Sequence, residues 1–100
     1  MFLSAYTFTG DRDALLAGYH LLVENLGADN LDLNISVVTA DGLTVLDGCP
    51  SREEFEHFTT SPDFAAAMQS AGLPLPVITP LGEIHVAITK TGVLQDLALA

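Results

Sequence analysis

The sequence predicts an α+β fold: one domain in which an antiparallel sheet carries two helices on one face. Three observations lead there. Strand-like alternation of β-forming residues recurs near the start, in the middle and near the end of the chain. Helical periodicity fills the two intervals, residues 12–27 and 51–72. An Asp41-Gly42 hairpin signal joins the two middle strands directly, which makes them antiparallel neighbours. A chain of 100 residues, half of them apolar, fits a single globular domain.

Each element follows from its residues. "FLSAYTFT", residues 2–9, reads as a strand with Phe2, Ser4, Tyr6 and Phe8 on one side. "GDRD" ends it, and Asp11 is placed to cap a helix by accepting an orphan backbone N–H. Leu15, Tyr19, Leu22 and Leu26 then recur at helical spacing, and Gly27 stops the helix. Gly18 weakens that helix and marks a close approach, expected against the sheet.

"LDLNISVVTADGLTVLDG" reads as a hairpin with Leu33, Ile35 and Val37 on one face and Asn34, Ser36 and Val38 on the other. Ser51 and Glu54 fit a capping box at the start of the second helix. Phe55 and Phe58 share a helical face. Ser61 and Pro62 restart the pattern, so the stretch is expected to be mainly one helix, broken or kinked near Thr60. Phe64, Met68 and Ala71 continue the apolar stripe to Gly72, Pro74 and Pro76. "LPLPVITPL" precedes the last strand. "GEIHVAITK", residues 82–90, reads as the last strand, with Glu83 and His85 on one face. Residues 91–100 form a tail of some helical character, outside a domain of residues 1–90.

The order is therefore β-α-β-β-α-β, the split-βαβ or ferredoxin-like arrangement. Two helices cover only one sheet face. The other carries Val38 and Leu46, or Phe2 and Phe8, depending on register, and a second copy of the sheet is the simplest cover.

The charge balance narrows the partners. Three basic residues, Arg12, Arg52 and Lys90, stand against thirteen carboxylates, a formal charge of -10. Such a surface repels phosphate backbones and anionic lipid, which argues against nucleic acid and membrane and leaves small neutral or cationic ligands. One cysteine, Cys49, makes no internal disulfide and no cysteine-rich zinc site. The N-terminal stretch lacks the basic and long apolar regions of a signal peptide, and no run approaches the ~20 apolar residues of a membrane span. The cytoplasm is the expected compartment. His20, His57 and His85 show no metal-ligand spacing, and no phosphate-binding glycine loop is present, so no metal and no cofactor are expected.

"GLTVLDGCPSREEFEHFTTSPDFAAAM" resembles the dimeric α/β-barrel superfamily, which contains antibiotic-biosynthesis and heme-degrading monooxygenases. The similarity covers about residues 2 to 89. It lies in Ser51, the acidic helix start at Glu53 and Glu54, the spaced Phe55 and Phe58, and the second turn at Ser61–Phe64. It implies the fold and a homodimer. Cys49 stands where members commonly have a tryptophan. Met68 stands where heme-degrading members place a histidine ligand, and their first-strand asparagine has no counterpart, so heme is not expected.

Three functions stay open. The first is a homodimer binding a small apolar or aromatic molecule between sheet and helices, walled by Tyr6, Tyr19, Phe55, Phe58, Phe64 and Met68, with Asn34 as a polar anchor. The second is a cofactor-independent monooxygenase with His85 as general base and Asn34 or Tyr6 orienting the substrate. The third is an assembly module without a ligand. Cys49, at a strand-to-helix junction, is either a reactive thiol or a small packing residue.

Overall fold

The computed structural model describes residues 1–93. It is an α+β domain with a four-stranded antiparallel sheet and three helices, compatible with a ferredoxin-like arrangement. The strands are β1 (Phe2–Thr9), β2 (Leu33–Thr39), β3 (Gly42–Cys49) and β4 (Val77–Glu83), in the spatial order β2-β3-β1-β4. The helices are α1 (Arg12–Leu26), α2 (Arg52–Thr60) and α3 (Pro62–Ser70). A 3-10 turn, Ala28–Asn30, follows α1, and two short strands, β5 (Ile88–Thr89) and β6 (Gly92–Val93), pair beyond β4.

Register decides what each face carries. Phe2 lies opposite Cys49, Ser4 opposite Asp47, Tyr6 opposite Val45 and Phe8 opposite Leu43. Phe2, Tyr6, Phe8, Leu43 and Val45 meet Leu15 of α1, Phe55 of α2 and Phe64 and Met68 of α3 in one core. All three helices therefore cover this face. Leu3, Ala5, Ile35, Val37, Leu46 and Val77 point to the other one. The register settles the alternative posed by the sequence: Phe2, Phe8 and Val38 lie on the helix side, and Leu46 on the open side.

The local signals act as follows. Asp11 accepts from the Ala14 N–H at 3.0 Å, and Ser51 accepts from the Glu54 N–H at 3.2 Å. The expected return bond from Glu54 is not made, so the capping box is half formed. Ser61 does not cap α3 with its side chain; its hydroxyl donates back to the Phe58 carbonyl at 3.0 Å. That bond closes α2, so the chain has two helices here rather than one kinked helix. The hairpin turn is Ala40-Asp41, and Gly42 already pairs with Thr39 in the ladder. Glycine is required there, since a Cβ would lie 2.2 Å from the Phe8 carbonyl oxygen.

The last strand is where the sequence misleads. β4 is Val77–Glu83: it begins five residues before the stretch read as the last strand and takes only Gly82 and Glu83 from it, and residues 84–87 have no strand partner. Pro80 is tolerated because β4 is an edge strand, where a missing N–H need break no ladder. Val77–Glu83 already occupies the free edge of β1 from Phe2 to Thr7, leaving no place there for residues 84–90. His85 is therefore not on a strand, and no strand sets it beside Glu83. Glu83 instead holds the N-terminal ammonium at 3.2 Å. The expected boundary at residue 90 falls inside the β5–β6 pair, and the remainder of the tail, residues 94–100, lies outside the described residues.

Gly18 marks a close approach, to the chain after α3 rather than to the sheet. A Cβ there would sit 2.6 Å from Leu73 Cδ2 and 3.1 Å from the Ala71 carbonyl oxygen. Glycine to alanine inside a helix ordinarily gains roughly 0.5–1 kcal/mol. Here the sign should reverse: Gly18→Ala should destabilise the fold by about 1–3 kcal/mol through overpacking, read as a lower midpoint in urea unfolding.

Candidate functional site

The Gly18 contact pins the middle of α1 against Ala71–Leu73. Past that point α1 runs on for two turns, and its inward side chains meet a cavity. Tyr19, Leu22 and Leu26 of α1 form one wall. Tyr6, Phe8 and Val45 form the sheet floor, and Phe58, Phe64 and Met68 close the side of α2 and α3. The volume is about 240 Å³. The sequence expectation placed seven residues at a ligand site. Six of them, Tyr6, Tyr19, Asn34, Phe58, Phe64 and Met68, line this one cavity. Phe55 does not; it packs on Phe2 with ring centres 5.3 Å apart and lines a second hollow next door.

The aromatic rings are fixed by one another. Tyr6 lies 5.9 Å from Phe64, and Phe64 meets Phe58 edge-on at 5.4 Å. Phe58 is 38% exposed, high for a phenylalanine packed on another, because it stands at the rim shared by both hollows.

Asn30 lines the cavity with its amide donated to the Leu26 carbonyl, and three further polar side chains form a single chain of hydrogen bonds. The Tyr19 hydroxyl donates to Asn34 Oδ1 at 2.5 Å, and Asn34 Nδ2 donates to Asp47 Oδ1 at 3.0 Å. Asp47 is the residue that sequence reasoning missed. Its signal was present: Leu43, Val45 and Asp47 alternate on one face of β3, so a carboxylate continues an apolar row. Burial pushes the Asp47 carboxyl above its ordinary value of 3.8; the Asn34 bond opposes this and the nearby Asp32 charge adds to it. Burial likewise pushes the Tyr6 hydroxyl up to about 12, with the Asp47 charge contributing. Both shifts describe a site hostile to added negative charge.

The second hollow, about 260 Å³, shares Tyr6, Asn30, Leu31, Asp47 and Phe58 with the first and adds Asp32, Glu54 and Cys49. The Cys49 thiol donates to the Ser51 carbonyl at 3.2 Å. Burial first, and the Asp47 charge second, push that thiol up from its ordinary value, which disfavours the thiolate needed for nucleophilic chemistry.

His85 is exposed and lines neither hollow, and the same is true of His20 and His57. His20 stacks edge-on against the outer side of Tyr19 at 5.6 Å. Among the described residues no three His, Cys, Asp or Glu side chains gather as a metal site, and no helix is long and apolar enough to cross a membrane. Compared with known proteins, the chain matches no family model, no curated protein and no solved structure.

The Asp47 shift has a consequence for stability. Its folded pKa is raised, so just above 3.8 the folded chain binds more protons than the unfolded one. Stability from this group is therefore full below 3.8 and is lost as pH rises through the folded pKa. Asp47→Asn removes that loss. The variant-minus-wild-type difference in unfolding free energy should become more favourable to the variant from acid pH to neutrality, as measured by denaturant titration at a series of pH values.

Proposed function

We propose that the chain binds a small apolar or aromatic molecule in the cavity between α1, α2–α3 and the sheet. The observation that carries this reading is the combination in one place of an apolar chamber and a single anchoring chain, Tyr19–Asn34–Asp47. Binding sites for small molecules have this composition: mostly hydrophobic and aromatic walls with a few polar groups that fix orientation. A module whose only work is assembly has no need of a hollow in a core of this size.

The resemblance to the dimeric α/β barrels is kept as part of the same proposal. It rests on the Ser51–Phe64 pattern and is supported by the order β2-β3-β1-β4, with the helices on one face. The open face supports a homodimer: Ile35 is 46% exposed, Val37 44% and Val77 69%. Packing two such faces together removes this surface from water.

Cofactor-independent oxygenation is the weaker reading on electrostatic grounds. It needs a base near the substrate and a counter-charge for the substrate carbanion. Asp47, not His85, is the base that faces the cavity. Yet no Lys, Arg or His among the described residues lines it, so a carbanion would form beside a carboxylate without compensation.

Two outcomes are expected. Apolar aromatic fragments such as naphthalene and indole should shift the NMR signals of Tyr19, Leu22 and the Met68 methyl, and leave His57 and His85 unmoved. Shifts confined to other surfaces, or none, would remove the binding reading. Sedimentation velocity at micromolar concentration should give a dimer burying on the order of 1,500 Å² in total, and Val37→Glu should give a folded monomer. A wild-type monomer would remove the dimer and leave the cavity reading in place.

A further inference from the structure

The polar groups at the cavity are not balanced. The Tyr19 hydroxyl proton is committed to Asn34, and Asn34 spends an amide proton on Asp47. The chain ends on a carboxylate whose second oxygen accepts no hydrogen bond from the described residues. Among the described residues no buried side-chain oxygen or nitrogen lacks a partner, so that oxygen is accessible and free to accept a hydrogen bond from an occupant.

Charge decides which donor. Asp47 sits at the seam of the two hollows, and Asp32 and Glu54 line the outer one. None of the three basic side chains and none of the histidines lines either hollow. An anion entering here meets like charge with no relief. A neutral alcohol gains one hydrogen bond. A cation gains a charge-assisted bond and relieves the carboxylate as well. Phe58 at the rim adds an aromatic ring, whose quadrupole attracts cations.

Building on the binding reading above, we infer that the cavity takes an apolar amine. It is bound as its ammonium ion, with the charge against Asp47 and the hydrocarbon in the chamber walled by Leu22, Phe64 and Met68. The adjoining hollow is the entry side: its acidic rim draws the cation in, and the apolar chamber holds the tail. The negative charge of the chain as a whole favours encounter with the same class of molecule.

The test compares matched probes by calorimetry at neutral pH and low salt: phenethylamine against phenethyl alcohol, and naphthylmethylamine against naphthylmethanol. Each amine should bind the wild type at least about ten-fold more tightly than its alcohol, the scale of a hydrogen bond to a charged group. Asp47→Asn, checked for folding by circular dichroism, should weaken each amine about ten-fold, to near the affinity of its alcohol, and change the alcohols by much less, because the amide oxygen still accepts their hydrogen bond. Raising the salt should weaken the amines alone. Alcohols that bind as well as the amines, or a preference that persists in Asp47→Asn, would overturn the ammonium assignment while keeping the cavity as a ligand site. Failure of both members of each pair to bind would overturn the assignment and count against the binding reading itself.

Discussion

Pairing of β1 along both edges is the constraint on which the rest of the molecule depends. From Phe2 to Thr7 it is bonded to β3 on one side and β4 on the other. That double pairing fixes the pleat of the central strand, and with it the side to which every β1 side chain points. Phe2, Ser4, Tyr6 and Phe8 are held toward the helices together. A slip of one residue would send Leu3, Ala5 and Thr7 inward instead and remove every aromatic ring of the strand from the core. Ser4, fully buried, fits beneath the helices because its hydroxyl donates to the Asp47 carbonyl at 3.4 Å.

From that register the site follows. Tyr6 and Val45 lie opposite each other at the cavity floor, and two residues along the same face come Ser4 and Asp47. Asn34 lies opposite Asp47 on β2 and bridges it to Tyr19 of α1. Helix α1 meets the Ala71–Leu73 segment closely at Gly18. The cavity lies between two close-packed features, the sheet ladder and a helix contact that would have to give to admit a Cβ. The chamber is apolar because it lies on the core face. Its single carboxylate is conspicuous because the row it continues is otherwise leucine and valine.

Much of this was legible in the sequence. The first strand, the first helix with its Asp11 cap, the hairpin and the break near Thr60 all have strong local signals, and local signals are what a sequence displays best. Five cavity residues, Tyr6, Tyr19, Phe58, Phe64 and Met68, were recognisable because aromatic and sulfur side chains at helical spacing point to the same side as the alternating face of β1, and Asn34 because it is a polar residue in an alternating strand. The last strand was not legible. Three prolines between 74 and 80 look like a loop, and their acceptance at an edge depends on the neighbour that Val77–Glu83 finds in β1. The well-alternating residues after Glu83 look like a strand but find that edge taken. His85 owed its candidacy to the strand, and it stands exposed without it. Asp47 was overlooked for the complementary reason: its meaning lies in the partners across the sheet, Asn34 and through it Tyr19, which no local pattern shows.

Asp47 is proposed as the anchor of a ligand cavity. Carbon NMR of the Asp47 carboxyl, titrated with pH in the free protein and again in saturating phenethylammonium, tests it most directly. The carboxyl should titrate above the ordinary aspartate value of 3.8 in the free protein and shift down when the cation is bound, because the positive charge favours the ionised form. A titration curve that is the same with and without the amine would contradict it.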